Sequence, residues 1–327
     1  MGKKQNGGSF SRSSALIAVC ACVVVTSSAC AQPTWLGNPA SVYATATNPF
    51  ELAFGPGGVL FAGHHSPSNG AADIYRIPAG GGAAVAFGSI TPEDPDGIDV
   101  YDGYVYASTE GPVYRTEITT GITTLWASAS GSPNQSSMVI DKDGTYFTAG
   151  TAVVGNARDG ADVELLFAGS PAQTLVSSPK LSVVRSIQFA AGGLYCTETL
   201  EDLGVWAIAM DGSIAKVSDG GHAWSLPDAM VYQPSTDSFI VGDGANLYSL
   251  PRAGGAVQQV GSGFGQISGL TFDDAGHLYV SDLTNHVVWR VVPAPGAVTL
   301  FFASAGMLIR RSSRGVRVRD ASRSSAR

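Results

Sequence analysis

The amino-acid sequence predicts an all-β fold, a six-bladed β-propeller of four-stranded antiparallel blades closed by an N-terminal strand. A signal peptide and a C-terminal hydrophobic helix flank it. Three observations carry this prediction. One apolar motif recurs six times, and its turns are spaced at the length of a four-stranded blade. Glycine is abundant, 41 of 327 residues, while charged residues make up only 14%. Many turn formers among β-branched and aromatic residues favour many short strands. So low a charge with so apolar a composition excludes a disordered chain.

Each copy of the motif is one small or polar residue, then apolar–x–apolar, a turn, and a second apolar or aromatic run. The copies are Phe50–Phe54 with Val59–Ala62, Asp96–Val100 with Tyr104–Ala107, and Ser136–Ile140 with Tyr146–Thr148. Then come Arg185–Phe189 with Leu194–Thr197, Asp228–Tyr232 with Phe239–Gly242, and Ser268–Phe272 with Leu278–Ser281. The turns centre on positions 58, 103, 144, 193, 237 and 276, which are 45, 41, 49, 44 and 39 residues apart. That is the period of a propeller blade. Most turns contain glycine, which supplies the positive φ a tight hairpin needs.

Third strands are predicted at Asp73–Ile77, Pro112–Thr116, Gly204–Ile208, Asn246–Leu250 and Val287–Val291. The third repeat offers only Ala161–Leu165 there. Fourth strands are predicted at Ala83–Phe87, Thr123–Trp126, Ile214–Val217 and Ala256–Val260. The sixth repeat stops after its third strand, which would leave an open edge. Ala40–Thr45 has strand character and is predicted to close the ring as the outer strand of that blade. A seven-bladed ring with one divergent blade, or a pair of β-sandwiches, are the alternatives.

The ends read as addresses. Lys3, Lys4 and Arg12 precede the apolar run Ala15–Val25, and small residues lead to a cleavage site at Ala31. This is the layout of a signal peptide, too short to span a bilayer as a stable helix. A lipoprotein leader on Cys30 is the alternative, with Ser27 where such leaders carry Leu. Cleavage leaves Cys196 as the lone cysteine; its strand pattern predicts burial. From Gln32 to Val292 the chain holds nine basic and 25 acidic residues, a net of −16. Such a body excludes nucleic acid as a partner. The last segment is Pro293-Ala294-Pro295-Gly296, the apolar run Ala297–Ile309, then Arg310, Arg311 and five more arginines.

This tail resembles the bacterial PEP-CTERM sorting signal, with Ala294 where the motif has Glu. The resemblance implies export through the Sec translocon and a precursor tethered to the inner membrane. It further implies an exosortase-type processing enzyme as partner, and a final place at the cell surface or outside the cell. An ordinary tail anchor is the alternative.

The repeats resemble NHL and gluconolactonase-like propellers. In such rings the residue opening each inner strand faces the mouth of the central channel. Here those residues are Phe50, Asp96, Ser136, Arg185, Asp228 and Ser268. Asp96 and Asp228 lie three blades apart, and Arg185 is placed to pair with Asp228. The resemblance implies one divalent metal held by a Glu, two Asn and an Asp. This chain has Phe50 at the Glu position, with Glu51 assigned to the other strand face, and Ser and Arg at the Asn positions. Two carboxylates are too few for a metal, and Arg185 repels a cation. No cofactor is therefore expected, with Ca²⁺ or another divalent metal as the residual alternative; the acidic loop Glu93–Asp96 is one place for Ca²⁺. His64 and His65 read as a surface loop, and His222, His277 and His286 as isolated. No nucleophile elbow, phosphate loop, CxxC or HExxH occurs. The expectation is a binding or scaffold module for a glycan or peptide, using the mouth with Trp126, Tyr101 and Trp224 nearby. The alternative is a divalent-metal-dependent lactonase or esterase of the gluconolactonase-like type.

Overall fold

Each apolar–x–apolar motif forms the inner strand of a sheet, and the run after its turn forms the next strand outward. The computed structural model describes residues 32–65, 72–90, 95–109, 112–128, 135–140, 144, 146–150, 152–154, 157–166 and 173–292. Blade one is Pro49–Phe54, Leu60–His64, Ala72–Ile77 and Val85–Ile90. Blade two is Gly97–Tyr101, Tyr104–Ser108, Pro112–Glu117 and Thr123–Ser128. Blade three is Gln135–Ile140, Tyr146–Gly150, Ala157–Leu166 and Gln173–Ser178, with Ala152–Val154 paired onto its long third strand. Blade four is Val184–Ala190, Gly193–Glu198, Gly204–Ile208 and Ile214–Lys216. Blade five is Pro227–Gln233, Ser238–Asp243, Asn246–Pro251 and Gln258–Ser262.

These five are antiparallel meanders, each cut from one continuous stretch of chain. A further sheet takes Ile267–Phe272, Leu278–Asp282 and Val287–Val291 from the end of the domain and its outer strand, Ser41–Thr45, from the beginning. The fold is an all-β propeller with four-stranded antiparallel blades.

The composite sheet is registered by Val287 opposite Thr45, Val288 opposite Ala44, Trp289 opposite Val42 and Arg290 opposite Ser41. Two further contacts extend this closure beyond what the sequence predicts. Thr34–Trp35 adds to the outer edge of blade five, with Trp35 opposite Gly261. Gly82–Ala83 runs parallel to Ser41–Thr45. That diverts the start of the predicted Ala83–Phe87 strand, so the outer strand of blade one begins at Val85. The segment from Thr34 to Thr45 therefore touches blade five, the composite sheet and the chain of blade one.

Five of the inner strands share an irregularity at their start. The pairing register shifts between Pro49 and Leu52, Gln135 and Ser137, Val184 and Ile187, Pro227 and Ala229, and Ile267 and Gly269. A bulge of this kind re-aims side chains that strict alternation would send elsewhere.

Apolar clusters fill the seams between neighbouring blades. Phe61, Ile74 and Ile90 of blade one meet Ile98 and Val105 of blade two. Trp35 meets Val231, Ile240 and Leu247 of blade five and Leu278 and Val280 of the composite sheet. Cys196 is fully buried among blade-four side chains, as its strand pattern predicts.

The leader with its cleavage site at Ala31 lies outside the described residues. So do Pro293, Ala294, Pro295, Gly296, Arg310 and Arg311 of the tail, and Glu93 and Asp94 of the acidic loop. Among the described residues no helix is long and apolar enough to cross a membrane.

Candidate functional site

The bulged strand starts gather a set of polar groups at one mouth of the channel. Asp228 opens the inner strand of blade five and is only 7% exposed. Arg185, at the same place in blade four, sets its Nε 3.6 Å from Asp228 Oδ1. That distance balances charge but exceeds a hydrogen bond. The Gln266 side chain hydrogen-bonds the carboxylate, yet Oδ1 has no hydrogen-bond partner. Burial pushes the Asp228 carboxyl above the ordinary carboxylate range, against the opposing pull of Arg185, Gln266 and His65.

His65 completes the set. Its Nδ1 lies 3.8 Å from Asp96 Oδ1, and its ring sits 5.6 Å from the Phe50 ring at 32°. The residue expected in a surface loop thus faces the mouth, because it follows directly on the second strand of blade one and leans toward the start of blade two. Phe50 and Asp96 thus meet His65, and Arg185 meets Asp228.

Other expectations need correction. Ser268 does not face a ligand. Its Oγ donates to the Pro49 carbonyl at 2.8 Å and lies 3.1 Å from Ser281 Oγ, so it joins the composite sheet to blade one. Ser136 holds its place in the inner strand of blade three, but its side chain lies outside the description. The aromatic residues assigned to the mouth belong elsewhere. Trp126 is on the outermost strand of blade two, and Tyr101 ends its inner strand at the far side. Trp224 packs against Tyr248 and donates its indole N–H to Asp219.

Glu51 is the largest correction. Strict alternation points it away from the axis, but the bulge between Pro49 and Leu52 turns it into the channel. There it lines a cavity of about 260 Å³ together with Asp99, Val139, Gln188, Met230 and Thr271, one residue from each inner strand. Glu51 accepts hydrogen bonds from Ser137 Oγ at 2.6 Å and the Ile98 amide at 3.2 Å. Ser137 Oγ in turn accepts from the Ile187 amide at 3.1 Å. Asp99 accepts from the amides of Val100 at 2.7 Å and Ile140 at 2.8 Å. Burial pushes Glu51 well above its ordinary range and Asp99 up to about 6. These bonds stitch blades one to four around the channel.

Three more acids escaped the sequence reading, and each closes the second strand of its sheet. Glu198 accepts from Ser182 Oγ at 2.8 Å and the Val183 amide at 2.9 Å. Asp243 accepts from Ser225 Oγ at 2.8 Å and from the Leu226 amide. Asp282 accepts from the Gly265 amide at 2.7 Å and the Trp289 indole at 3.0 Å. An acidic residue directly after the second apolar run was their signal. They pin the loop that leads into each inner strand.

The metal implied by the resemblance does not fit these residues. Among the described residues no group of three or more His, Cys, Asp or Glu is arranged to hold one. The Arg185 guanidinium already supplies the positive charge beside Asp228, and Phe50 offers no donor.

The sequence matches no protein-family model and no curated protein. Solved structures share the fold. XC5397, a gluconolactonase from Xanthomonas campestris, aligns with a TM-score of 0.64 at 16% identity, over 79% of this chain and 91% of that one. The PQQ domain of a pyranose dehydrogenase from Coprinopsis cinerea aligns at 0.58 and 13%, over 80% and 97%. A chain of the nidogen/laminin complex aligns at 0.54 and 19%, over 64% and 82%. At these identities the likeness is one of fold.

Proposed function

We propose that this chain is a six-bladed propeller hydrolase of the lactonase/esterase class, with its active site at the channel mouth. The carrying observation is two charged pairs, His65 with Asp96 and Arg185 with Asp228, with His65 near enough to act electrostatically on Asp228. A gluconolactonase of the same fold supports the reading. His65, oriented by Asp96, takes a proton from the attacking water and returns it to the leaving alkoxide as the acyl–oxygen bond breaks. Its 3.8 Å contact with Asp96 is long, as such contacts often are before substrate tightens them. Arg185 holds the acyl oxygen as negative charge develops on it. Asp228 fixes the guanidinium. No step passes through a metal.

The test is a pH-stat assay of the full-length chain against a panel of lactones and simple esters. His65→Asn is expected to lower kcat by about 10²–10⁴, the scale of one general base, and a chelator to leave the rate unchanged. Turnover that survives His65→Asn, or that vanishes with chelator, overturns the assignment.

A binding module for a small ligand is the second reading, favoured by the partly exposed Arg185 side chain beside Asp228. Calorimetric binding without turnover would select it. On either reading we infer from the two ends that the chain is exported and then sorted. The Sec translocon, an exosortase-type enzyme and the cell surface are the corresponding partners and destination.

A further inference from the structure

The cavity inside the channel is a second place for a ligand, apart from the charged pairs at the mouth. Its lining begins one residue past the mouth, at Glu51 after Phe50, and runs along the inner strands to Phe54 and Thr271. At about 260 Å³ it has many times the ~10–15 Å³ that one water needs, and falls just short of the ~300–1,000 Å³ of drug-sized pockets. Four polar side chains reach it. Glu51 and Asp99 come from blades one and two, Gln188 from blade four and Thr271 from the composite sheet. All four are half-buried, so an occupant of the cavity can touch them.

The fold leaves these groups only partly bonded. Glu51 accepts one hydrogen bond on each oxygen, from Ser137 Oγ and the Ile98 amide. Asp99 does the same with the amides of Val100 and Ile140. A carboxylate has about four acceptor sites, so each keeps about two open. The side chains of Gln188 and Thr271 have no hydrogen-bond partner among the described residues. The lining is therefore more polar than holding the ring together requires.

Charge decides the occupant. Two carboxyls line the cavity and no Lys, Arg or His does. Asp99 and Asp96 both act on the Glu51 carboxyl as like charges. An anion would meet two acids with no cation beside them. Calcium asks for six to eight oxygens, and among the described residues no group of three or more His, Cys, Asp or Glu is arranged to hold a metal. Much of the remaining wall is apolar, Val139, Met230 and Leu270 included. A primary ammonium answers the acids with three charge-assisted donors, and a short alkyl chain covers the apolar wall.

We propose that the channel cavity binds a small primary alkylammonium, its N–H groups donating to Glu51 and Asp99 and its chain lying on Val139, Met230 and Leu270. The site uses none of the mouth residues, so it does not rest on the hydrolase reading.

The experiment is isothermal titration of the full-length chain at neutral pH with four probes. n-Butylammonium carries both features. n-Butanol has a chain without the charge, butyrate has the opposite charge, and calcium chloride supplies a metal alone. n-Butylammonium is expected to bind at least about tenfold more tightly than n-butanol, the scale of one charge-assisted bond, and butyrate not to bind. Glu51→Gln and Asp99→Asn should each weaken n-butylammonium by about tenfold. The probe series on the unmodified chain needs no variant to fold. No binding of n-butylammonium, equal affinity for n-butanol, or displacement of n-butylammonium by calcium at equal concentration overturns the proposal.

His65→Asn separates this site from the mouth. It should slow ester turnover and leave n-butylammonium binding unchanged. Loss of that binding in His65→Asn would put the ligand at the mouth and overturn the inference. Intact binding in a chain that turns over no ester removes the hydrolase reading alone.

Discussion

Removing the Trp35 side chain tests whether the N-terminal belt holds the ring shut. Trp35 is 1% exposed and sits where blade five meets the composite sheet, against Val231, Ile240, Leu247, Leu278 and Val280. Truncating so buried an aromatic to Ala costs about 3–5 kcal/mol. One feature offsets part of that. The Trp35 indole N–H is buried without a hydrogen-bond partner, so losing it relieves a cost of about 1–3 kcal/mol. The net expectation for Trp35→Ala, from the middle of the two ranges, is therefore about 2 kcal/mol. For a domain of this size each kcal/mol moves the melting temperature by about 2 °C. Trp35→Ala should thus melt about 4 °C lower. Trp35→Phe keeps most of the ring and drops the orphan donor, so it should melt close to the parent. The assay is scanning calorimetry of the full-length chain at neutral pH, where the domain should unfold in one transition because the seam couples its first and last strands. A fall under about 2 °C for Trp35→Ala, or Phe as damaging as Ala, refutes the argument that this side chain fastens the closure.

Two further outcomes follow from buried titratable groups. The Asp99 carboxyl holds its proton up to about 6 in the fold, whereas in the unfolded chain it loses it from about 4. The folded state then binds more protons in that window, so stability falls as pH rises from about 4 to about 6, by up to about 3 kcal/mol. Glu51 acts with the same sign. Urea midpoints measured across that range should decline, and Asp99→Asn should flatten the decline; an unchanged slope in the variant contradicts the assignment. Cys196 is fully buried, and burial together with the Glu198 charge raises its thiol pKa, so it stays protonated. Iodoacetamide should label the Cys196 peptide only after unfolding, and labelling of the native chain would show that the seam opens.

The repeat was legible because each inner strand carries its own turn and its own apolar pattern. Glu51 was not, for a definite reason. Reading a strand assigns faces by alternation, and the bulge between Pro49 and Leu52 breaks alternation at the very residues that meet the channel. The same break recurs where Arg185 and Asp228 stand. His65 was misread because its surroundings come from Asp96 of the next blade, a contact that local pattern cannot show. Thr34–Trp35 was missed because two residues carry no period. In blade three the extra strand Ala152–Val154 and the ten-residue strand Ala157–Leu166 blur the spacing that located the other third strands.

Burial alone does not separate the acids that build the ring from the acid that serves the reaction, since all are buried. The supply of donors does. Asp282 receives the amides of Gly265 and Asn285, the Asn285 side chain and the Trp289 indole. Glu198 receives Ser182 Oγ and the amides of Val183, Leu200 and Glu201. Each is saturated by its own loop, so each is part of the frame. Glu51 and Asp99 are likewise held by a hydroxyl or amides from neighbouring blades. Asp228 differs because its position at a bulged strand start brings it Gln266 and a distant guanidinium but gives Oδ1 no donor. It is the acid of this set that stands beside a partly exposed arginine, Arg185, and that is the physical reason for placing catalysis at this pair rather than at the better-bonded acids around it.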